Sequence, residues 1–125
     1  MANILVADDE AAVREFVSRA LDHAGHKVTV AQDGQKALEL LASGQFDLLI
    51  TDIVMPRMDG ISLALKMAKD RPDMPILLMT GYSAERQRAH NLDALTSAVI
   101  GKPFSLAEFL SAVETALGGG RPKTQ

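Results

Sequence analysis

Short apolar runs alternate with stretches of helical periodicity from one end of the chain to the other. Asn3-Ile4-Leu5-Val6-Ala7 is apolar and ends in acidic residues, as a strand buried on both faces does. From Glu10 the period changes. Val13, Phe16, Val17, Ala20, Leu21 and Ala24 recur at three- and four-residue steps and predict one face of a helix, with Gly25 as its C-cap. Residues 27–31 read as a second strand, 32–34 as a turn, and Ala37, Leu38 and Leu41 as the inner face of a short helix closed by Gly44. Residues 46–51 form the third predicted strand.

The second half repeats the pattern. After a loop over 52–59, Gly60 opens a helix with Ile61, Ala64, Leu65 and Ala68 on one side, broken at Arg71-Pro72-Asp73. Residues 75–79 read as a strand. Ser83 caps a polar helix around Arg86 to Leu92, and residues 97–100 read as the fifth strand. The last helix starts near Ser105, turns Leu106, Phe109, Leu110, Val113 and Leu117 inward, and ends at Gly118-Gly119-Gly120. Arg121 to Gln125 reads as a polar tail.

Five strands alternating with five helices predict a parallel sheet covered on both faces, because parallel strands need crossover helices. Right-handed crossovers make this a doubly wound α/β sandwich. Ligand sites in such sheets lie at the carboxyl ends of the strands, where the winding reverses. Asp8, Asp9, Asp52, Thr80 and Lys102 all stand at or just beyond a predicted strand end.

Composition narrows the choice of chemistry. At 125 residues, 47% hydrophobic and 23% charged, the chain has the size and balance of one folded domain. A formal net charge of −3 argues against nucleic-acid binding by bulk charge. The absence of cysteine excludes disulfides, thiolate metal sites and cysteine nucleophiles. Apolar runs fall far short of the roughly 20 residues that cross a bilayer, and Met1-Ala2-Asn3 lacks the basic start of a signal peptide, so a cytoplasmic protein without membrane contact is expected. Neither GxGxxG nor GxxxxGK[ST] occurs.

Three carboxylates converging at one sheet edge repel one another without a cation, and hard oxygen ligands suit Mg²⁺. A bound Mg²⁺ would neutralise a phosphoryl donor while one carboxylate attacks phosphorus to give an acyl phosphate. Lys102 supplies a fixed positive charge and Thr80 a hydroxyl for the phosphoryl oxygens. Each residue taken alone has a plainer reading. Asp8-Asp9-Glu10 reads as acid at a helix start, Asp52 as a turn acceptor, Thr80-Gly81 as a strand exit, and Lys102 as a solvated lysine. The coincidence of four strand ends favours the joint reading. His23, His26 and His90 lack convergent spacing and read as surface or cap residues.

Asp8-Asp9-Glu10, Asp52-x-x-Met55-Pro56-x-Met58-Asp59-Gly60, Thr80-Gly81 and Lys102-Pro103-Phe104 together resemble the receiver domain of bacterial two-component response regulators, over about residues 3 to 117. The resemblance implies a (βα)5, flavodoxin-like and CheY-like sandwich with strand order 2-1-3-4-5, a receiver over 1–117 and a tail over 118–125. It implies Asp52 as phosphoacceptor, with Asp8, Asp9, Asp52 and the Val54 backbone carbonyl holding Mg²⁺. Thr80 would bond the phosphoryl group, Lys102 would pair with it, and Lys102-Pro103 would be cis. The phosphoryl source would be a histidine kinase or histidine phosphotransferase. The family's aromatic switch position holds Val99 here, which shifts the readout toward Thr80, its loop and Tyr82. Tyr82, Arg86, Arg88, His90 and Val99 are the expected partner surface.

The stretches 51–56, 79–82 and 88–95 further resemble CpdR-type single-domain regulators of alphaproteobacteria. That resemblance implies an adaptor for the ClpXP protease in cell-cycle control, with ClpX as downstream partner. The few residues after the last helix leave protein contact or phosphate passage as the expected output. A chemotaxis-like motor switch or phosphate shuttle is the alternative. A phosphatase using an aspartyl phosphate would want an acid two residues after the nucleophile, where Val54 stands.

Overall fold

The computed structural model describes residues 2–81 and 98–119. Five parallel strands form one sheet: β1 (Asn3–Ala7), β2 (Lys27–Ala31), β3 (Leu48–Asp52), β4 (Ile76–Thr80) and β5 (Ala98–Gly101), in the order β2-β1-β3-β4-β5. Four helices accompany them among the described residues: α1 (Ala11–His23), α2 (Gly34–Ser43), α3 (Gly60–Asp70) and α4 (Leu106–Gly119). The expected helix around residues 86–92 lies outside the described residues. No described helix is long and apolar enough to cross a membrane.

Strand alternation explains the two-sided core, because successive side chains point to opposite faces. Leu5, Leu49, Ile76 and Leu78 pack with Ala37, Leu41, Leu63 and Met67 of α2 and α3. Ile4, Val6, Ile50 and Leu77 pack with Val17, Leu21, Phe109 and Val113 of α1 and α4. Every residue of β3 and β4 is buried.

Helix ends follow local chemistry. Asp33 caps α2 by accepting from the Lys36 N–H (2.8 Å), which makes the expected 32–34 turn the entry to that helix. Asp59 caps α3 through the Ser62 N–H (2.8 Å). Ser105 and Glu108 form a reciprocal capping box at α4, with Glu108 N–H to Ser105 Oγ at 3.1 Å and Ser105 N–H to Glu108 Oε1 at 2.8 Å. Helix α1 ends in a paired 6→1 and 5→2 bond set, His26 N–H to Leu21 O and Gly25 N–H to Asp22 O.

Several expectations shift. The third strand starts at Leu48 and takes in Asp52, and α4 continues through Gly118 and Gly119. Ala24, Leu65 and Leu106 are exposed, and Phe16 is 43% exposed. In α3 the buried stripe is Gly60, Leu63, Ala64 and Met67. The apolar arc of that helix takes in Ile61, Leu65 and Ala68 as well as the buried stripe, opposite Ser62, Lys66, Lys69 and Asp70, so periodicity alone does not mark which edge of the arc turns inward.

Candidate functional site

The sheet order reverses beside β1, between the crossover that leads out to β2 and the one that returns through β3. At the carboxyl end of this seam Asp8 follows β1, Asp52 ends β3, Thr80 ends β4 and Lys102 follows β5. The strand ends are also joined laterally. The Lys102 backbone N–H donates to the Thr80 carbonyl (2.6 Å), and the Asp8 N–H donates to the Ala31 carbonyl (3.1 Å).

One carboxylate oxygen each from Asp8, Asp9 and Asp52 lies within 4.8 Å of the others. Asp8 and Asp52 are buried and Asp9 is exposed. The Lys102 ammonium stands among them, 3.0 Å from Asp8 Oδ2 and 3.2 Å from Asp52 Oδ1. Such an all-oxygen, anionic donor set fits a hard divalent cation with water in its remaining positions.

Burial pushes the Asp52 carboxyl up from 3.8 to about 6; the Asp8 charge adds to this, and Lys102 opposes it. Burial works against the Lys102 charge, but its hydrogen bond to Asp8 and the charges of Asp52 and Asp8 outweigh that, holding the ammonium above its ordinary value. Thr80 is fully buried, and its Oγ1 has no hydrogen-bond partner among the described residues. An unsatisfied buried hydroxyl costs about 1–3 kcal/mol, so Thr80 is a group in want of an acceptor.

The loop after β3 is held against the site by close backbone contact. A Cβ on Gly60 would fall 1.9 Å from the Asp52 carbonyl oxygen, so only glycine lets α3 begin there. The Gly60 N–H donates to the Ile53 carbonyl at 2.7 Å. Within the loop, Arg57 has a φ of 72° and the Met58 N–H reaches back to the Pro56 carbonyl (2.8 Å), a three-residue γ-turn. The Arg57 guanidinium donates to Asp33 Oδ2 at 3.2 Å. Val54 is 54% exposed beside Asp52 in a cleft also lined by Phe16, Lys102 and Phe104.

The structure thus brings together Asp8, Asp9, Asp52 and Lys102, and it buries Thr80 at the neighbouring strand end. The Lys102–Pro103 peptide is cis. Val99 is partly buried against the α2–α3 side of the core. Tyr82, Arg86, Arg88 and His90 lie outside the described residues. Two features had no role assigned to them in the site. Glu10 was read as helix-start acid, yet its carboxylate lies 3.5 Å from Lys102 Nζ and caps nothing. Arg57 offered no signal, because a left-handed arginine has no sequence mark.

A family model for the response regulator receiver domain matches residues 4–114. The response regulator MprA of Mycolicibacterium vanbaalenii is 40% identical over 114 residues, which cover 91% of this chain and 49% of that protein. The chain spans about half the length of the curated relatives it matches. Among solved structures, the response regulator TrrA of Thermotoga maritima in complex with Mg²⁺–BeF is similar with a TM-score of 0.83 and 33% identity, covering 91% of this chain and 97% of that one. A CheY-like receiver domain protein of Methanospirillum hungatei gives a TM-score of 0.87 at 29% identity, covering 94% of each chain.

Proposed function

Because this chain belongs to the response regulator receiver domain family, we propose that Asp52 accepts a phosphoryl group from a histidine kinase or histidine phosphotransferase, and that this modification switches a protein-binding surface. The observation that carries the reading is the Lys102 ammonium held between the Asp8 and Asp52 carboxylates, with Asp9 beside them. Asp8, Asp9, Asp52 and the Val54 backbone carbonyl would hold Mg²⁺. When bound, the ion would offset the negative charge of the carboxylates and of the incoming phosphoryl group.

The protein's own groups do the rest. An Asp52 oxygen attacks phosphorus, the bond from phosphorus to the donor's leaving group breaks, and an acyl phosphate remains on Asp52. Lys102, already in contact with Asp52, donates to a phosphoryl oxygen. The Thr80 hydroxyl, buried without a partner, gains an acceptor when a phosphoryl oxygen comes within reach. Movement of Thr80 would carry the adjoining loop, a local charge event biasing a nearby surface.

For the output, the likeness of residues 51–56, 79–82 and 88–95 to CpdR-type regulators supports a cytoplasmic adaptor for the ClpXP protease, with Tyr82, Arg86, Arg88, His90 and Val99 at the contact. The site reading is tested with acetyl phosphate and Mg²⁺. One acid-stable, base-labile phosphoryl group is expected, lost in Asp52→Asn and on chelation. Label that persists in Asp52→Asn overturns the assignment. The adaptor reading is tested by ClpX binding to Asp52→Ala beside phosphorylated wild type, where equal binding rules out a switch.

A further inference from the structure

Glu10 occupies the N-cap position of α1 (φ −93°, ψ 118°), where a short Ser, Thr, Asp or Asn side chain ordinarily accepts from the first turn. Its side chain makes no cap hydrogen bond. The backbone is nevertheless fixed on both sides. The Glu10 N–H donates to Asp8 Oδ1 (2.8 Å), and the Glu10 carbonyl accepts from the Arg14 N–H (3.1 Å). The carboxylate is instead placed 3.5 Å from Lys102 Nζ, at the edge of the cleft that leads to Asp52.

Lys102 has three N–H donors and faces three carboxylates, Asp8 at 3.0 Å, Asp52 at 3.2 Å and Glu10 at 3.5 Å. Asp8 and Asp52 belong to the cation cluster, and Glu10 does not. Glu10 is also the solvent-facing member, its side chain 64% exposed against 0% for Asp8 and 9% for Asp52. Three carboxylates therefore crowd one ammonium at this mouth, with Asp9 beside Asp8 and Asp52. A divalent cation would neutralise the Asp8–Asp9–Asp52–Lys102 set and leave one negative charge, the one on Glu10.

We propose that Glu10 is a specificity-determining residue that disfavours small, dianionic phosphodonors by opposing their charge and competing for Lys102. This rests on Asp52 being the phosphoacceptor and deepens that reading. A free acyl phosphate must meet the residual charge alone, whereas a donor presented by a protein surface would add that surface's own contacts at the cleft. The arrangement selects against adventitious phosphorylation from the metabolite pool.

The test uses the full chain, wild type and Glu10→Gln, with Mg²⁺ saturating. For acetyl phosphate, a dianion, Glu10→Gln is expected to lower the half-saturating concentration by about 3- to 10-fold, with the saturating rate unchanged, and the gap should shrink at 1 M salt. For phosphoramidate, a zwitterion of lower net charge, the gain should be smaller. Mg²⁺ affinity, read by calorimetry without any donor, should move the opposite way and weaken about 2- to 3-fold. A charge acting through space has this opposite-sign signature, and a merely structural role weakens both. Glu10→Asp, which keeps the charge, should stay near wild type. Equal gains with both donors, or cation and donor affinities moving together, overturn the proposal. If the wild type takes no label the Asp52 reading fails, and the Mg²⁺ measurement still decides whether Glu10 acts on the site at all.

Discussion

The Arg57 guanidinium lies 3.2 Å from the Asp33 carboxylate, so one acid both caps α2 and anchors the γ-turn of the loop that follows Asp52. The two partners differ sharply in burial, at 67% side-chain exposure for Arg57 and 6% for Asp33. That asymmetry separates their mutants. An ion pair with one solvent-exposed partner contributes about 0–1 kcal/mol where the buried acid keeps another bond, as Asp33 does with the Lys36 N–H, and glycine at a φ of 72° recovers a similar amount, so Arg57→Gly should be near neutral and Arg57→Ala slightly destabilising. Asp33→Ala removes the cap as well and should cost about 1–2 kcal/mol. Urea denaturation of the three variants checks the order.

Removing the Asp52 charge should stabilise the protein above pH 6. The folded carboxyl titrates at about 6 against an ordinary 3.8, so the fold favours its neutral form. The associated stability is complete below about pH 4 and is lost as pH rises through about 6. With chelator present, Asp52→Asn should gain roughly 1–2 kcal/mol over wild type between pH 4 and 7, the full shift being tempered by solvent at the site mouth. Parallel pH profiles for the two proteins would show that Asp52 is not held in this way.

Gly60→Ala tests the contact between α3 and β3. Its Cβ would need space now filled by the Asp52 carbonyl oxygen at 1.9 Å, and backbone cannot yield as a flexible side chain does. A loss of about 2–4 kcal/mol is expected, or a displaced loop with slower Asp52 phosphorylation. Calorimetric melting and acetyl phosphate labelling read the two outcomes, and a variant unchanged in both contradicts the close approach.

Val54 predicts a long-lived acyl phosphate. Its side chain stands 54% exposed at the Asp52 cleft and carries no polar atom to orient an attacking water. Val54→Asn supplies one and should shorten the lifetime of the phosphoryl group several-fold. Decay in pulse-labelled protein measures this, and an equal or longer half-life in the variant would sink the idea.

Much of the architecture was readable from the chain because β1, β3 and β4 are apolar but for Asn3, Thr51, Asp52 and Thr80 at their ends, and α1 and α2 are clearly two-sided. The converging residues Asp8, Asp9, Asp52, Thr80 and Lys102 followed from the strand-end rule. Faces were harder to read where the apolar arc of a helix is wider than the stripe it buries: Leu65 and Leu106 went outward although their spacing fitted the inner stripe. Phe16 fitted the α1 stripe too, yet it lies at the cleft with Phe104, ring centroids 6.2 Å apart. Glu10 and Arg57 act through distances of 3.5 and 3.2 Å to residues far away in sequence, which no local pattern encodes.

The sheet divides the interior into two compartments, Leu5, Leu49 and Leu78 on one side and Ile4, Ile50 and Leu77 on the other. The compartments share strands and no side-chain space, so each is an independently editable unit. Trimming Leu41 on one side and Val113 on the other should give stability losses that add to within about 0.5 kcal/mol, whereas Leu41 with Met67, in the same compartment, should not. A designer could therefore rebuild the α1–α4 side for thermal resistance while leaving the packing beneath the Asp52 loop as it stands.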